Sequence, residues 1–385
     1  AERVEICDSG RIDGDIVAGQ SLVVTDVDTV QAATSAIANR ISGAVQQDTG
    51  QATTTQAVEG DVTAETDLTL DGDTTGYVVV QTQAHGNYLA ASAYDGALAA
   101  DATQSATGPQ VRATTTIDDD DARLLAGANV ATGAYANSVA LGGERASVTG
   151  SVDQTSQTQV FASTYSAVQY IPADAAFSAQ ALGNAVQSNT TANSHQELEV
   201  RQTNAPSTIT AEVSTNAGNA WNLAGRANAA ANQANLYNSG GSMVVSTDQS
   251  NAGRVRANAV VTAYDYGAAT ATARAAGNEV VAGNNDIYLE LDNTQINSGG
   301  VEASAAFAGN TGYDAYVGAD AVGNSVTGYT CSTCAGMLNA TSSQVNNGDV
   351  SAVANTTVSG SGRAVVTGAN AVGNSATFYV SRPGS

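Results

Sequence analysis

Catalysis needs unlike groups converging on one point, and this chain offers few to converge: two histidines, three cysteines, 13 basic side chains and 36 acidic ones in 385 residues. The densest group is Asp118-Asp119-Asp120-Asp121, where four carboxylates suit a hard cation such as calcium. Asp67, Asp71 and Asp73 form a second, looser acidic group. Each occurs once, and an isolated charge run is more often a solvated turn. The Gly-Gly-x-Gly-x-Asp calcium nonapeptide is missing. No cofactor is therefore expected, with calcium as the one cation for which ligands could be drawn. His85 and His195 occupy unrelated places and read as satisfied or solvent-facing. Without a nucleophile elbow or a phosphate-binding glycine loop, the chain is not expected to be an enzyme.

The cysteines carry a different chemistry. Cys331 and Cys334 are separated by Ser332-Thr333, and with no further Cys or His nearby a tetrahedral zinc site would lack two ligands. A redox pair would want a strand-to-helix junction. A local disulfide between Cys331 and Cys334 outside the cell is the expected reading. Cys7 is left as a buried thiol or as a contact across a subunit boundary.

The elements that hold these residues come from a repeat. Asparagines preceded by glycine or alanine recur at Asn39, Asn87, Asn137, Asn184, Asn232, Asn278, Asn324 and Asn374, spaced 48, 50, 47, 48, 46, 46 and 50 residues apart. Glutamines keep step at Gln56, Gln104, Gln154, Gln202, Gln249, Gln295 and Gln344, offset by 17, 17, 17, 18, 17, 17 and 20 residues. The last interval is longer because Cys331–Cys334 falls in a three-residue insertion.

Between these landmarks the pattern has period 2, as in Thr270-Ala271-Thr272-Ala273-Arg274-Ala275, and helix-length amphipathic stretches are absent. Pro109 and Pro206 follow a landmark glutamine, within its turn. Tyrosines mark another corner at Tyr77, Tyr264, Tyr266 and Tyr313, whereas the single tryptophan, Trp221, occurs once and gives no per-unit signature of the kind a propeller blade would show. Each unit reads as three short strands joined by three turns.

One such unit cannot bury its apolar face alone, so the predicted fold is an all-β solenoid, a parallel β-helix of about eight repeats of 46–50 residues. Residues 1–30 read as an N-terminal segment or cap, and 31–385 as the solenoid. The asparagines and glutamines should stack as structural ladders, each amide over its equivalent in the next rung. One rung per repeat gives a stack of roughly 40 Å, and two give roughly 75 Å, at about 4.8 Å per rung. A β-propeller or an open sandwich array are the competing architectures.

With 39 glycines, 5% aromatic residues and 42% hydrophobic ones, the chain lacks bulk for a thick layered core but has enough apolar alternation to fold. Its formal charge is −23 and all its bases are arginine. That charge repels phosphate backbones and anionic lipid, so no nucleic-acid partner is expected. A start at Ala1, with methionine only at 243 and 337, suggests a mature exported chain. No run of eighteen apolar residues is present.

The Gly-Asn and Gln landmarks resemble the amide ladders of curlin subunits, and Ala136-Asn137-Ser138-Val139-Ala140-Leu141-Gly142 resembles the head repeats of trimeric autotransporter adhesins. The acidic, alanine-rich, lysine-free chain as a whole resembles the holdfast anchor proteins of stalked alphaproteobacteria, in particular their larger adhesin-like component. That resemblance implies a secreted, outer-membrane-associated protein, exported through a curli-type pore, that tethers an adhesive surface polysaccharide to the cell. Open strand edges add the expectation of end-to-end self-association into a fibre. The alternative is a polysaccharide-binding β-helix without polymerisation.

Overall fold

Alternating Ala, Val and Thr are small or β-branched and pack well on a pleated face, while Gly, Asn and Asp interrupt them at turns. The computed structural model describes residues 4–331 and 336–381. Among these residues the secondary structure is strand throughout, with no helix, and all strand pairing is parallel.

The chain winds as a parallel β-solenoid with three faces per coil. Coil 1 comprises β1 (Val4–Ile12), β2 (Ile16–Val27) and β3 (Val30–Gln46); coil 2 comprises β4 (Thr49–Val58), β5 (Val62–Thr74) and β6 (Val78–Tyr94). Coil 3 has β7 (Ala97–Ala106), β8 (Gln110–Leu124) and β9 (Ala128–Glu144). In coils 4 to 7 the second and third faces form one long strand around a corner. The pairs are β10 (Ser147–Ser156) with β11 (Gln159–Thr191), β12 (His195–Asn204) with β13 (Thr208–Asn238), β14 (Ser242–Asn251) with β15 (Arg254–Asn284), and β16 (Tyr288–Asn297) with β17 (Val301–Cys331). Coil 8 divides again into β18 (Met337–Asn346), β19 (Val350–Val358) and β20 (Ala364–Ser381).

The first face is an eight-stranded sheet in the order β1-β4-β7-β10-β12-β14-β16-β18. Each repeat therefore makes one coil, and the stack spans roughly 40 Å at the usual strand spacing. The stretch read as a leading segment, 1–30, carries β1 and β2 from Val4 onward, and both pair in register with coil 2. Gly10 sits opposite Gln56, so coil 1 lacks the glutamine that marks the later coils. Pro172 lies inside β11 at the corner, where the register shifts between Ile171 and Asp174.

Two separate apolar cores fill the tube. One lies between the second face and the first half of the third, and contains Val62, Leu68, Val111, Ile117 and Phe177. The other lies between the first face and the second half of the third, with Leu89, Leu98, Val148, Leu198 and Leu289. The landmark amides stand between them. Alternation slips there, because the residue before each asparagine also points inward and drops out of the pairing, as Gly86 does between His85 and Asn87. A bulge of this kind bends the third face from one core toward the other. Its extra residue must be small: a Cβ at Gly277 would lie 2.5 Å from the carbonyl oxygen of Gly323 in the next coil. The series Ala38, Gly86, Ala136, Gly183, Ala231, Gly277, Gly323, Gly373 follows from that space.

Candidate functional site

The asparagine column is continuous from Asn39 to Asn374. Each Nδ2 donates to the Oδ1 of the asparagine one coil further toward the C terminus, at 2.7–2.8 Å in all seven steps. Its second N–H donates across the interior to the carbonyl that follows the landmark glutamine, as Asn232 does to Ser250 at 2.8 Å. Glutamines run the other way. Each Nε2 from Gln104 to Gln344 donates to the Oε1 of the preceding coil at 2.7–2.9 Å. The remaining N–H reaches the carbonyl after an asparagine, as Gln202 does to Gln233 at 3.0 Å.

The two columns thus bind each other's backbone and form a polar wall between the two cores. Asn87, Asn137, Asn184, Asn232, Asn278, Gln154, Gln249 and Gln295 are fully buried. In such surroundings a fully satisfied amide network fixes register, and an incomplete one is costly.

Two further interior networks share this logic. Asn204, Asn251, Asn297 and Asn346 form a shorter ladder at 2.7 Å per step, two residues after the glutamines of coils 5 to 8. In coils 1 to 4 the hydroxyls of Thr34, Thr66, Thr82, Thr115, Thr132 and Thr164 zigzag between the second and third faces. Each covers about half the molecule, so neither recurs through all the repeats.

The other candidates are placed as follows. Asp119 accepts the backbone N–H of Asp121 at 3.0 Å, and Asp73 pairs with Arg123 at 2.5 Å. Among the described residues no group of three His, Cys, Asp or Glu side chains is arranged to hold a metal. Cys7 lies on β1 with its thiol 3.6 Å from Glu5 Oε1. Cys331 ends β17, while its expected partner Cys334 lies outside the described residues.

Two titratable groups sit on the outer side of the third face near the asparagine column. Glu279, 8% exposed, receives hydrogen bonds from Arg274 and Gln233. Burial alone would raise its pKa, but Arg274 and Gln233 together hold the carboxyl below its ordinary range. His85 stacks on Tyr135 with ring centroids 4.6 Å apart, and its Nδ1 is buried without a hydrogen-bond partner.

Burial first, and Arg40 second, push the pKa of His85 down from 6.5 to about 4. The native ring is therefore neutral, while the unfolded chain takes up a proton near pH 6.5. This contribution to stability is full above that pH and declines as pH falls toward 4. Between pH 7 and 4.5 the decline should be about 2 kcal/mol. His85→Gln should flatten that part of the profile, as measured by urea denaturation at the two pH values.

One surface feature gathers unlike side chains. Where the second face turns into the third, coils 4 to 8 form a groove of about 710 Å³ lined by Tyr170, Asn219, Trp221, Tyr264, Asp265, Tyr266, Asn310, Thr311, Tyr313 and Ser361, among others. Two glycines make it. Gly312 lies beside the Tyr266 ring in the preceding coil, and Gly267 leaves room for Trp221, whose Cε3 is 2.9 Å from where a Cβ would stand. The Trp221 and Tyr313 rings meet edge to face with centroids 6.1 Å apart. Trp221, Gly267 and Tyr313 follow one another at 46-residue intervals, so the tryptophan occupies a repeat position.

A family model described as HfaD, holdfast attachment protein D, matches residues 24–300, well over half of the chain. No curated protein and no solved structure matches it.

Proposed function

The chain belongs to the holdfast attachment protein D family, and from that premise we propose that it is a non-catalytic structural rod linking an adhesive polysaccharide to the outer membrane. The family implies a role in holdfast attachment, and with it a place at the cell surface. The observation that carries the structural reading is the pair of amide columns that ties all the coils into one body.

Export through a curli-type pore fits a chain whose interior needs few large side chains to refold after passage as an extended polypeptide. Self-association fits the polarity of the asparagine column. Asn39 donates and Asn374 accepts, so a second copy set end to end would continue the series with Asn374 donating to its Asn39.

Retention of adhesive material by cells tests the anchoring role. In a holdfast-forming bacterium, loss of this protein should release holdfast into the medium, and re-expression should restore retention. Equal retention without the protein would overturn the proposal. Sedimentation of the purified protein should show mass rising with concentration, and a constant monomer would remove self-association from the reading.

A further inference from the structure

We propose that the aromatic corner groove of coils 4 to 8 is a glycan-binding site for a linear chain of pyranose rings without acidic groups. The groove crosses five successive coils, so it runs along the solenoid axis for roughly 20 Å at the usual strand spacing. A linear polymer can lie along it. Three exposed rings meet in this one place: Trp221 is 53%, Tyr264 64% and Tyr313 52% exposed.

Flat aromatic faces suit the C–H faces of sugar rings. The amides of Asn219 and Asn310 and the hydroxyls of Thr311 and Ser361 supply the directional partners that sugar hydroxyls need. Tyr266, 4% exposed, forms the floor of the groove and packs edge to face on Phe307 with ring centroids 4.9 Å apart, which gives the exposed rings a rigid base.

Charge selects the class of polymer. Asp265 lines the groove, Asp314 stands beside it, and Arg363, the nearby base, is already paired with Asp314. Within a chain of net charge −23, a polyuronate or sulfated glycan would be repelled. Neutral or amino-sugar chains are not. The site deepens the anchoring role and rests on it for its biological meaning, whereas the binding itself stands on the groove.

Trp221 is the only tryptophan, so its fluorescence reports from the groove alone. Titration of the full chain with cellohexaose or a glucosamine hexamer should shift its emission saturably, and a galacturonate hexamer should not. Tyr264→Ala with Tyr313→Ala removes two exposed rings without touching either core, so melting should be unchanged while affinity falls roughly tenfold or more. Absence of saturable change with both non-acidic sugars, tightest binding of the galacturonate, or an unaltered affinity in the double variant would each overturn the site. Retention of holdfast by cells lacking the protein would instead overturn the anchoring role and leave the binding result standing.

Discussion

Asn232→Ala should destabilise the protein by about 4 kcal/mol or more, far beyond an ordinary polar substitution. Three partners are stranded by it: Nδ2 of Asn184 loses its acceptor, Oδ1 of Asn278 loses its donor, and the carbonyl of Ser250 loses its cross-interior bond. Asn184, Asn232 and Asn278 are all fully buried, and each unpaired buried group costs about 1–3 kcal/mol. Asn39→Ala should be milder, because Asn39 stands at the end of the column and only donates to Ala57 and Asn87.

Asn232→Asp separates polarity from packing. It keeps the shape and can still accept from Asn184, but at neutral pH it cannot donate, and a buried carboxylate then faces two acceptors. It should be at least as damaging as alanine at pH 7 and partly recover in acid, where the protonated group donates once. Denaturant unfolding measures the loss, and hydrogen exchange should place it in coils 4 to 6. If the aspartate variant were milder than alanine at neutral pH, packing rather than hydrogen bonding would hold the column.

Removal of one coil should leave the fold intact, whereas removal of half a coil should abolish it. Thr208 lies opposite Arg254 in the β13–β15 register, so deleting residues 208–253 joins Ser207 to Arg254 at equivalent places. Asn184 then meets Asn278, Gln202 meets Gln295, and the Arg274–Glu279 pair is retained. The shortened protein should melt cooperatively with strand content reduced by one coil. Deleting 208–230 instead removes an odd number of residues and turns every following side chain to the opposite face until the register recovers. Apolar positions would then meet solvent, and a soluble, cooperatively melting product would contradict the register. Circular dichroism and size exclusion separate the two outcomes.

The solenoid, its period and both long amide columns were legible because the same residue type recurs at nearly constant spacing and because stacking rewards identity from coil to coil. Each amide satisfies the next copy of itself, and selection for that contact leaves a periodic mark. Other features left a weaker mark for physical reasons. The inward small residue before each asparagine is Ala in three coils and Gly in five, so it marks a bulge only once the pairing is known. Coil 1 was hidden by Gly10, which holds the place of a landmark glutamine.

The groove was half legible. Tyrosines at the corner stood out, but Trp221 and Tyr313 share a column with a glycine between them, and identity does not repeat where rings need empty space beside them. The threonine zigzag links different faces of adjacent coils, with steps of 32, 16, 33, 17 and 32 residues, so no single period exposes it.

The opposed directions of the two amide columns bear on how such a body can lengthen. A primary amide carries a dipole comparable to that of a peptide unit, about 3.5 D, and identical groups aligned head to tail would add along the axis as they do in a helix. Here the asparagines point their N–H groups one way and the glutamines theirs the other, at every coil that has both. The fields of these two columns oppose each other, so coils 2 to 4 extend the stack with little electrical polarity between their ends. In coils 5 to 8 the shorter ladder from Asn204 to Asn346 donates in the same direction as the long asparagine column, so the amides there leave a net dipole whose positive end faces the C-terminal end of the stack.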